Sequence, residues 1–202
     1  MVAVIETGTA NIASMLAALE RLGAGPKLCR DAGEIAAAGH AVLPGVGSFK
    51  AAMDGLERLG LRDAITKRFK EGRPTMTVCL GLQLLCLESE EDPGCAGLGI
   101  IPEKVVRFPE GLCVPHMGWN TVSPAPGCRL LSEGYAYFAN SYCLRNVPAG
   151  WRGAYTTHGA PFVAALERGA LLACQFHPEL SGEWGLALMK RWLGETGTTC
   201  LQ

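Results

Sequence analysis

The stretch Thr77-Val78-Cys79-Leu80-Gly81-Leu82-Gln83-Leu84-Leu85, TVCLGLQLL, decides how this chain is read. It reads as the end of a strand running into the start of a helix, with Cys79 at the corner between them. Either Cys79 is a small apolar residue that falls there, as free cysteines mostly are, or it is a nucleophile held up for attack. A nucleophile elbow has the form G-x-nucleophile-x-G, because neighbouring backbone crowds that corner. Gly81 supplies the second glycine, while Thr77 stands where the first is expected. A thiol at a helix N-terminus also lies at the positive end of the helix dipole, which favours its thiolate.

Working outward, strands alternate with helices through the first half. VAVIE near the N-terminus reads as a buried strand, followed by a helix carrying Ile12, Met15, Leu16, Leu19 and Leu22 at helical spacing. A short strand at Lys27 to Cys29 and an Ala-rich helix follow. HAVLPGVGSF is a strand entering a Pro-Gly turn, and helical stretches run from about Ser48 to Glu71. From Ile100 to Gln175 short strands with turn signals take over, and a helix with Trp184, Ala187, Leu188 and Trp192 follows them. The expected fold is α/β: a three-layer sandwich with a central, mostly parallel sheet and an antiparallel extension, one domain over 1–202. Ligands of such sheets bind beyond the carboxyl ends of the parallel strands. Cys79 and the turn Gly45 to Gly47 both sit at such ends.

Composition narrows the class. With 49% hydrophobic and 18% charged residues, the chain has a sizeable core to build rather than a disordered tract. A formal charge of -1 argues against a basic surface for nucleic acid or membrane. No apolar run approaches the ~20 residues of a membrane span, and the N-terminus lacks the basic flank and long apolar stretch of a signal peptide. The nine cysteines are odd in number and show no C-x-x-C pair, against a zinc ribbon or disulfide scaffold and for a reducing cytoplasm. No cofactor or metal is expected.

A thiolate nucleophile for acyl transfer wants a histidine base and a group to orient it. His40 precedes an apolar strand and reads as a strand-edge residue. His158, in TTHGAP, reads as a solvated loop residue. His177 follows a strong buried strand in LLACQFHPEL, and Glu179 comes two residues later. Extended backbone would put those two side chains on one side, so that a carboxylate holds the imidazole while its other nitrogen faces the cysteine.

In these residues the chain resembles the class I (triad) glutamine amidotransferases, whose fold is flavodoxin-like. LPGVGSF, CLGLQLL, PHMGWN and QFHPELSG match in order and spacing over essentially the whole chain. PGVGSF together with HMGWN is most similar to the histidine-biosynthesis branch, the glutaminase subunits of imidazole glycerol phosphate synthase. The resemblance implies hydrolysis of L-glutamine, with ammonia passed to a (β/α)8-barrel cyclase subunit that closes the imidazole ring. It implies Cys79 as nucleophile, His177 as acid and base, and Glu179 as the group orienting it. It assigns the oxyanion hole to Leu80 and to Val46 or Gly47, in a turn whose glycines suit a peptide that reorients. It assigns substrate binding to Gly45, Gln83, Glu91 (at the α-ammonium) and Ser141 with Tyr142 (at the α-carboxylate). Asn11, Trp119 and Leu180 fall at the partner interface.

The chain departs from the family's pattern at three places. ETGTANIAS keeps Gly8 and Asn11 but has Ala10 where glycine is usual, Thr77 replaces the elbow glycine, and Leu180 stands where lysine is usual. Two other functions compete with the histidine-pathway reading. One is the same chemistry in another aminating synthase or a free-standing γ-glutamyl hydrolase. The other is a regulatory subunit with a silent site. Glutamate release with and without a candidate cyclase separates them.

Overall fold

The computed structural model describes residues 1–6 and 12–196, so Gly8, Ala10, Asn11 and Cys200 lie outside the described residues. In chain order the elements are β1 (Val2–Ile5), α1 (Ile12–Arg21), β2 (Pro26–Cys29), α2 (Ala32–Ala37), β3 (His40–Gly45), α3 (Phe49–Arg58), α4 (Arg62–Lys70), β4 (Thr75–Cys79) and α5 (Leu80–Leu84). The second half adds β5 (Glu88–Ser89), β6 (Lys104–Arg107), β7 (His116–Pro124), β8 (Gly134–Asn140), β9 (Tyr142–Cys143), β10 (Arg152–His158), β11 (Ala160–Arg168), β12 (Leu171–Cys174) and α6 (Gly182–Leu193).

One nine-stranded sheet runs in the order β2-β1-β3-β4-β12-β11-β10-β7-β8, and β5-β6-β9 form a small second sheet. The pairs from β2 to β12 are parallel. From β12 to β8 they are antiparallel, continuing the same sheet as the expected extension. The change of direction is written in the turns. Gly159 and Gly169, at φ 70 and 59, close the short connections on either side of β11, where parallel strands would need a long crossover.

Strand alternation sends neighbouring residues to opposite faces. Ala3, Ile5, Ala41 and Leu43 join a core with Ile35, Phe49, Leu56, Ile65 and Phe69 from α2, α3 and α4. Val2, Val4, Val42, Met76 and Val78 join a second core with Met15 and Leu19 of α1 and Leu188, Met189 and Trp192 of α6. Those two cores make the three layers. The helical stretches expected from about 48 to 71 are the two helices α3 and α4, parted where Gly60 takes φ 64 and Leu61 N–H donates back to Leu56 O at 2.9 Å. That is a Schellman stop.

Two buried ionic groups are tied in fully. The Glu167 carboxylate on β11 accepts the backbone N–H groups of Arg129 (2.6 Å), Leu130 and Leu131 (both 2.9 Å), fixing the loop before β8. Arg68 on α4 donates to four backbone carbonyls and to Thr75 Oγ1.

What matters for function is the shared carboxyl edge of β3, β4 and β12. Gly45 pairs with Cys79, and Val78 pairs with Cys174. The PGVG turn, the cysteine corner and the QFHPE segment therefore leave neighbouring strands side by side.

Candidate active site

Cys79 has φ 55 and ψ -112, and among the described residues it alone of the non-glycines has positive φ. Such a conformation costs about 1–3 kcal/mol and persists only where surroundings dictate it. Here the surroundings are backbone. A Cβ at Gly81 would lie 2.2 Å from Leu43 O, and one at Gly45 would lie 2.8 Å from Gly81 N. Glycine at both positions lets β3 press against the corner. Thr77 is fully buried inside β4, in register with Leu43 and Ala173, and its hydroxyl has no hydrogen-bond partner. The strand accommodates a side chain there without opening the elbow. The dipole help expected from sequence is smaller, because α5 spans five residues and supplies little more than one turn of aligned peptides.

His177 lies just beyond β12 and is held on all sides. Its backbone N–H donates to Tyr137 O at 2.9 Å, and Ser181 Oγ donates to His177 O at 2.6 Å while accepting Tyr137 N–H at 3.0 Å. Its Nδ1 lies 2.9 Å from Glu179 Oε1, with side-chain exposures of 8% and 4%. A carboxylate accepts, so Nδ1 carries the proton and Nε2 is left for the cleft. The expected extended H-P-E is corrected by the structure: Pro178–Leu180 is a 3-10 turn. Proline fixes φ at its first position, and the turn carries Glu179 back under the ring. Burial opposes the charged imidazole, but hydrogen bonds to Cys79 and Glu179 and their charges prevail and push its pKa up to about 10.

These groups open on a cleft of roughly 330 Å³ lined by Val46, Gly47, Cys79, Leu80, Gln83, Glu91, Ala139, Asn140, Ser141, Tyr142 and His177. It brings together nine of the fourteen residues singled out in the sequence. Gly45 is excluded: it is buried beneath, against Leu80. Glu179 stands behind His177. Trp119 (58% exposed) and Leu180 (39%) lie outside on the surface. Main-chain pairing links that surface to the cleft, since Trp119 pairs with Tyr137 and Tyr137 with His177.

Several of these side chains are already engaged. Gln83 Nε2 donates to Tyr142 O and to Gln175 Oε1, both at 3.0 Å. Glu91 Oε2 accepts Phe49 N–H at 2.9 Å, and burial holds its carboxyl above the usual range against that bond. Asn140 Nδ2 also donates to Tyr142 O, at 2.9 Å. Sequence reasoning passed over Asn140, Gln175 and Ser181. Gln175 carried a usable signal, two residues before His177 and so on its side of the strand. His158 is corrected too. It ends β10, stacks on His116 with ring centroids 4.5 Å apart, and its Nε2 lies 2.9 Å from Cys113 O. The eight described cysteines are unpaired, and among the described residues no group of three or more His, Cys, Asp or Glu could hold a metal ion.

The arrangement is suited to acyl transfer: a strained, backbone-framed thiol, a buried imidazole held by a carboxylate, and a turn beside them. Residues 3–193 match the family described as glutamine amidotransferase class-I. Imidazole glycerol phosphate synthase subunit HisH of Desulfitobacterium hafniense is 38% identical, over 98% of this chain and 97% of its own length. The protein of that name from Moorella thermoacetica is 42% identical, over 95% and 93%. The chloroplastic imidazole glycerol phosphate synthase hisHF of Arabidopsis thaliana is 38% identical over 96% of this chain, which spans 34% of that longer protein. A crystal structure of a glutamine amidotransferase superposes with TM-score 0.76 at 22% identity, covering 96% of this chain and 98% of the other. The structure of PurLQS from Thermotoga maritima gives 0.72 at 17%, covering 95% and 96%. At those identities the likeness is one of fold.

Proposed function

The chain belongs to the glutamine amidotransferase class-I family, on its branch of imidazole glycerol phosphate synthase glutaminase subunits, and on that premise we propose that Cys79, His177 and Glu179 carry its chemistry. It hydrolyses L-glutamine to glutamate and ammonia in the service of histidine biosynthesis. The observation that supports the site assignment is the convergence of the strained cysteine with the Glu179-held imidazole in one cleft.

Cys79 gives its thiol proton to His177, and Sγ attacks the side-chain carbonyl carbon of glutamine. The carbonyl π pair moves to oxygen, and the resulting oxyanion is met by the N–H of Leu80 and by Val46 or Gly47 of the turn. Collapse breaks the C–N bond as His177 protonates the leaving nitrogen, giving ammonia and a thioester on Cys79. His177 then takes a proton from water, whose oxygen attacks the thioester and releases glutamate. Glu179 keeps His177 in the tautomer with Nε2 toward the cleft. Gln83, Glu91, Ser141 and Tyr142 hold the amino-acid head.

The partner is the cyclase subunit, a (β/α)8 barrel that receives the ammonia, and it docks on the surface around Trp119 and Leu180. Exposed Met117 and Trp119 on β7 and Tyr135 on β8 suit such a face, since large aromatic and thioether side chains anchor interfaces. The chain works as one domain in the cytoplasm; among the described residues no helix is long and apolar enough to cross a membrane.

The deciding experiment measures glutamate release and ammonia incorporation with the purified cyclase, for wild type and Cys79→Ser. Wild type should release glutamate in step with ring formation, the serine variant should do neither, and an electrophilic glutamine analogue should add one mass to the Cys79 peptide alone. Turnover by the serine variant, or labelling of another cysteine, would overturn the assignment.

A further inference from the structure

Gln175 is fully buried behind the residues that line the cleft, and the triad leaves it without a task. Its side chain donates Nε2–H to Cys79 Sγ at 3.7 Å, across a sequence separation of 96. The direction of that bond is fixed from elsewhere. Tyr142 O is a backbone carbonyl and only accepts, so Gln83 must present its nitrogen there. The other hydrogen of that nitrogen goes to Gln175 Oε1 at 3.0 Å. Gln175 therefore has its oxygen spoken for, and its nitrogen is the atom turned to the sulfur. Reversing either amide would set oxygen against oxygen in a buried site, which burial makes costly.

On the sulfur's other side, Ala139 O lies 3.8 Å from Sγ. The two neighbours favour opposite protonation states. A thiol can donate to Ala139 O, whereas a thiolate is repelled by it and accepts from Gln175 as well as from His177.

We propose that Gln175 is a positioning residue for the nucleophile: once Sγ has passed its proton to His177, the Gln175 amide N–H holds the thiolate in place and stabilises its charge, with its orientation relayed from Tyr142 O through Gln83. No proton leaves Gln175 in this step; it donates a hydrogen bond throughout. The inference rests on Cys79 being the nucleophile. The titratable groups sharing the cavity are His177 at the end of β12, with Glu179 behind it, and Glu91 across the cleft. Gln175→Met adds no titratable group to this set, whereas Gln175→Glu adds one carboxylate to it.

The test is the pH dependence of Cys79 alkylation by iodoacetamide, read by mass on the Cys79 peptide, together with kcat and KM for glutamine in the complex with the cyclase. Gln175→Met keeps the length and removes the donor. Its alkylation midpoint should rise by about one pH unit and kcat should fall roughly tenfold, the worth of one hydrogen bond to a charged group. KM should move less than kcat, since Gln83 loses its bond to Gln175 but keeps the one to Tyr142 O. Gln175→Glu keeps the bond from Gln83 and puts a carboxylate oxygen at the sulfur, so it should raise the midpoint further. It also serves if the methionine variant fails to fold. A purely structural role would lower thermal stability without moving the midpoint. An unchanged midpoint in either folded variant, with wild-type Cys79 reactive, overturns this proposal alone. Wild-type Cys79 that does not react with an electrophilic glutamine analogue overturns the nucleophile assignment and this proposal with it.

Discussion

Glu91 reaches 42 positions back along the chain to accept the backbone N–H of Phe49 at 2.9 Å. Phe49 opens α3, two residues beyond Gly47, so one oxygen of this carboxylate secures the exit of the PGVG turn while the residue also lines the cleft. Asp92 does the same for Lys50 N–H at 2.8 Å. On the proposed assignment, the substrate's ammonium and the oxyanion turn would thus meet on a single side chain.

Two substitutions separate these duties. Glu91→Gln keeps an acceptor for Phe49 N–H but loses the charge that meets the ammonium. It should raise KM for glutamine about tenfold or more, as loss of a charge-assisted bond does, with kcat little changed. Glu91→Ala also frees Phe49 N–H, and should lower kcat as well. Equal kcat in the two variants would show that the turn does not depend on this anchor.

Arg68 is a test of the core rather than of the site. All of its hydrogen-bond partners are neutral: Nε donates to Thr75 Oγ1 (3.1 Å), Nη1 to Ile35 O (2.9 Å) and Ala38 O (2.7 Å), Nη2 to Pro74 O (2.6 Å) and Gly39 O (3.4 Å). Burial, then the charge of Arg73, pull its pKa down to about 10, still well above neutrality. Arg68→Met would remove the five hydrogen bonds of this buried side chain. Ala38 O keeps Arg73 Nη2 and Pro74 O keeps Ala41 N–H, while the bonds of Ile35 O and Gly39 O to Arg68 are lost, at a cost of about 3 kcal/mol. The thermal midpoint should fall by roughly 6–12 °C. Arg68→Lys should recover only part of that, because three donors cannot span five acceptors. A methionine variant as stable as wild type would contradict this account.

The pH dependence of stability should carry the mark of His177. Its folded pKa is raised from the ordinary 6.5 to about 10. A raised value means stabilisation that is fully present below about 6.5 and lost as pH climbs through about 10. Glu179→Gln removes the buried charge that helps raise it. The variant should melt below wild type at pH 7, the gap should narrow toward pH 10, and kcat should fall by about a hundredfold or more. A gap that stays constant over that range would assign the difference to some other group.

The sequence was most legible where chemistry is local. Hydrophobic periodicity and Gly–Pro punctuation located the alternating elements, and a cysteine and an H-P-E each following a buried strand pointed to the candidate site. Legibility ended where a contact depends on register between distant segments. Gln175 meets Cys79 because β12 lies beside β4, and His116 stacks on His158 because β7 neighbours β10. The second pairing leaves no trace in neighbouring residues, and the first leaves only the spacing of Gln175 two residues before His177. The 3-10 turn at Pro178 was hidden for a different reason: H-P-E is compatible with extended and turned backbone alike, and the packing of Ser181 against His177 and Tyr137 selects the turn.

Leu180 ends that turn, donates its N–H to His177 O at 3.1 Å and is 39% exposed, so its side chain stands at the surface close to the cleft. Lysine at this position would offer a charge-assisted bond to an acidic partner residue; leucine offers apolar area instead. The cognate cyclase should accordingly lack, or not rely on, that acidic residue. Charge then contributes less at this contact, and added salt should weaken association less than in a lysine-bearing relative. Leu180→Lys should not tighten binding, and should weaken it where the new ammonium is desolvated without a partner. Titrating wild type and variant against the cyclase at two salt concentrations, followed by partner-stimulated glutamate release, decides the matter. Tighter binding and greater stimulation by the lysine variant, strongest at low salt, would show that the acidic counterpart is present and that leucine here is not matched to an apolar surface.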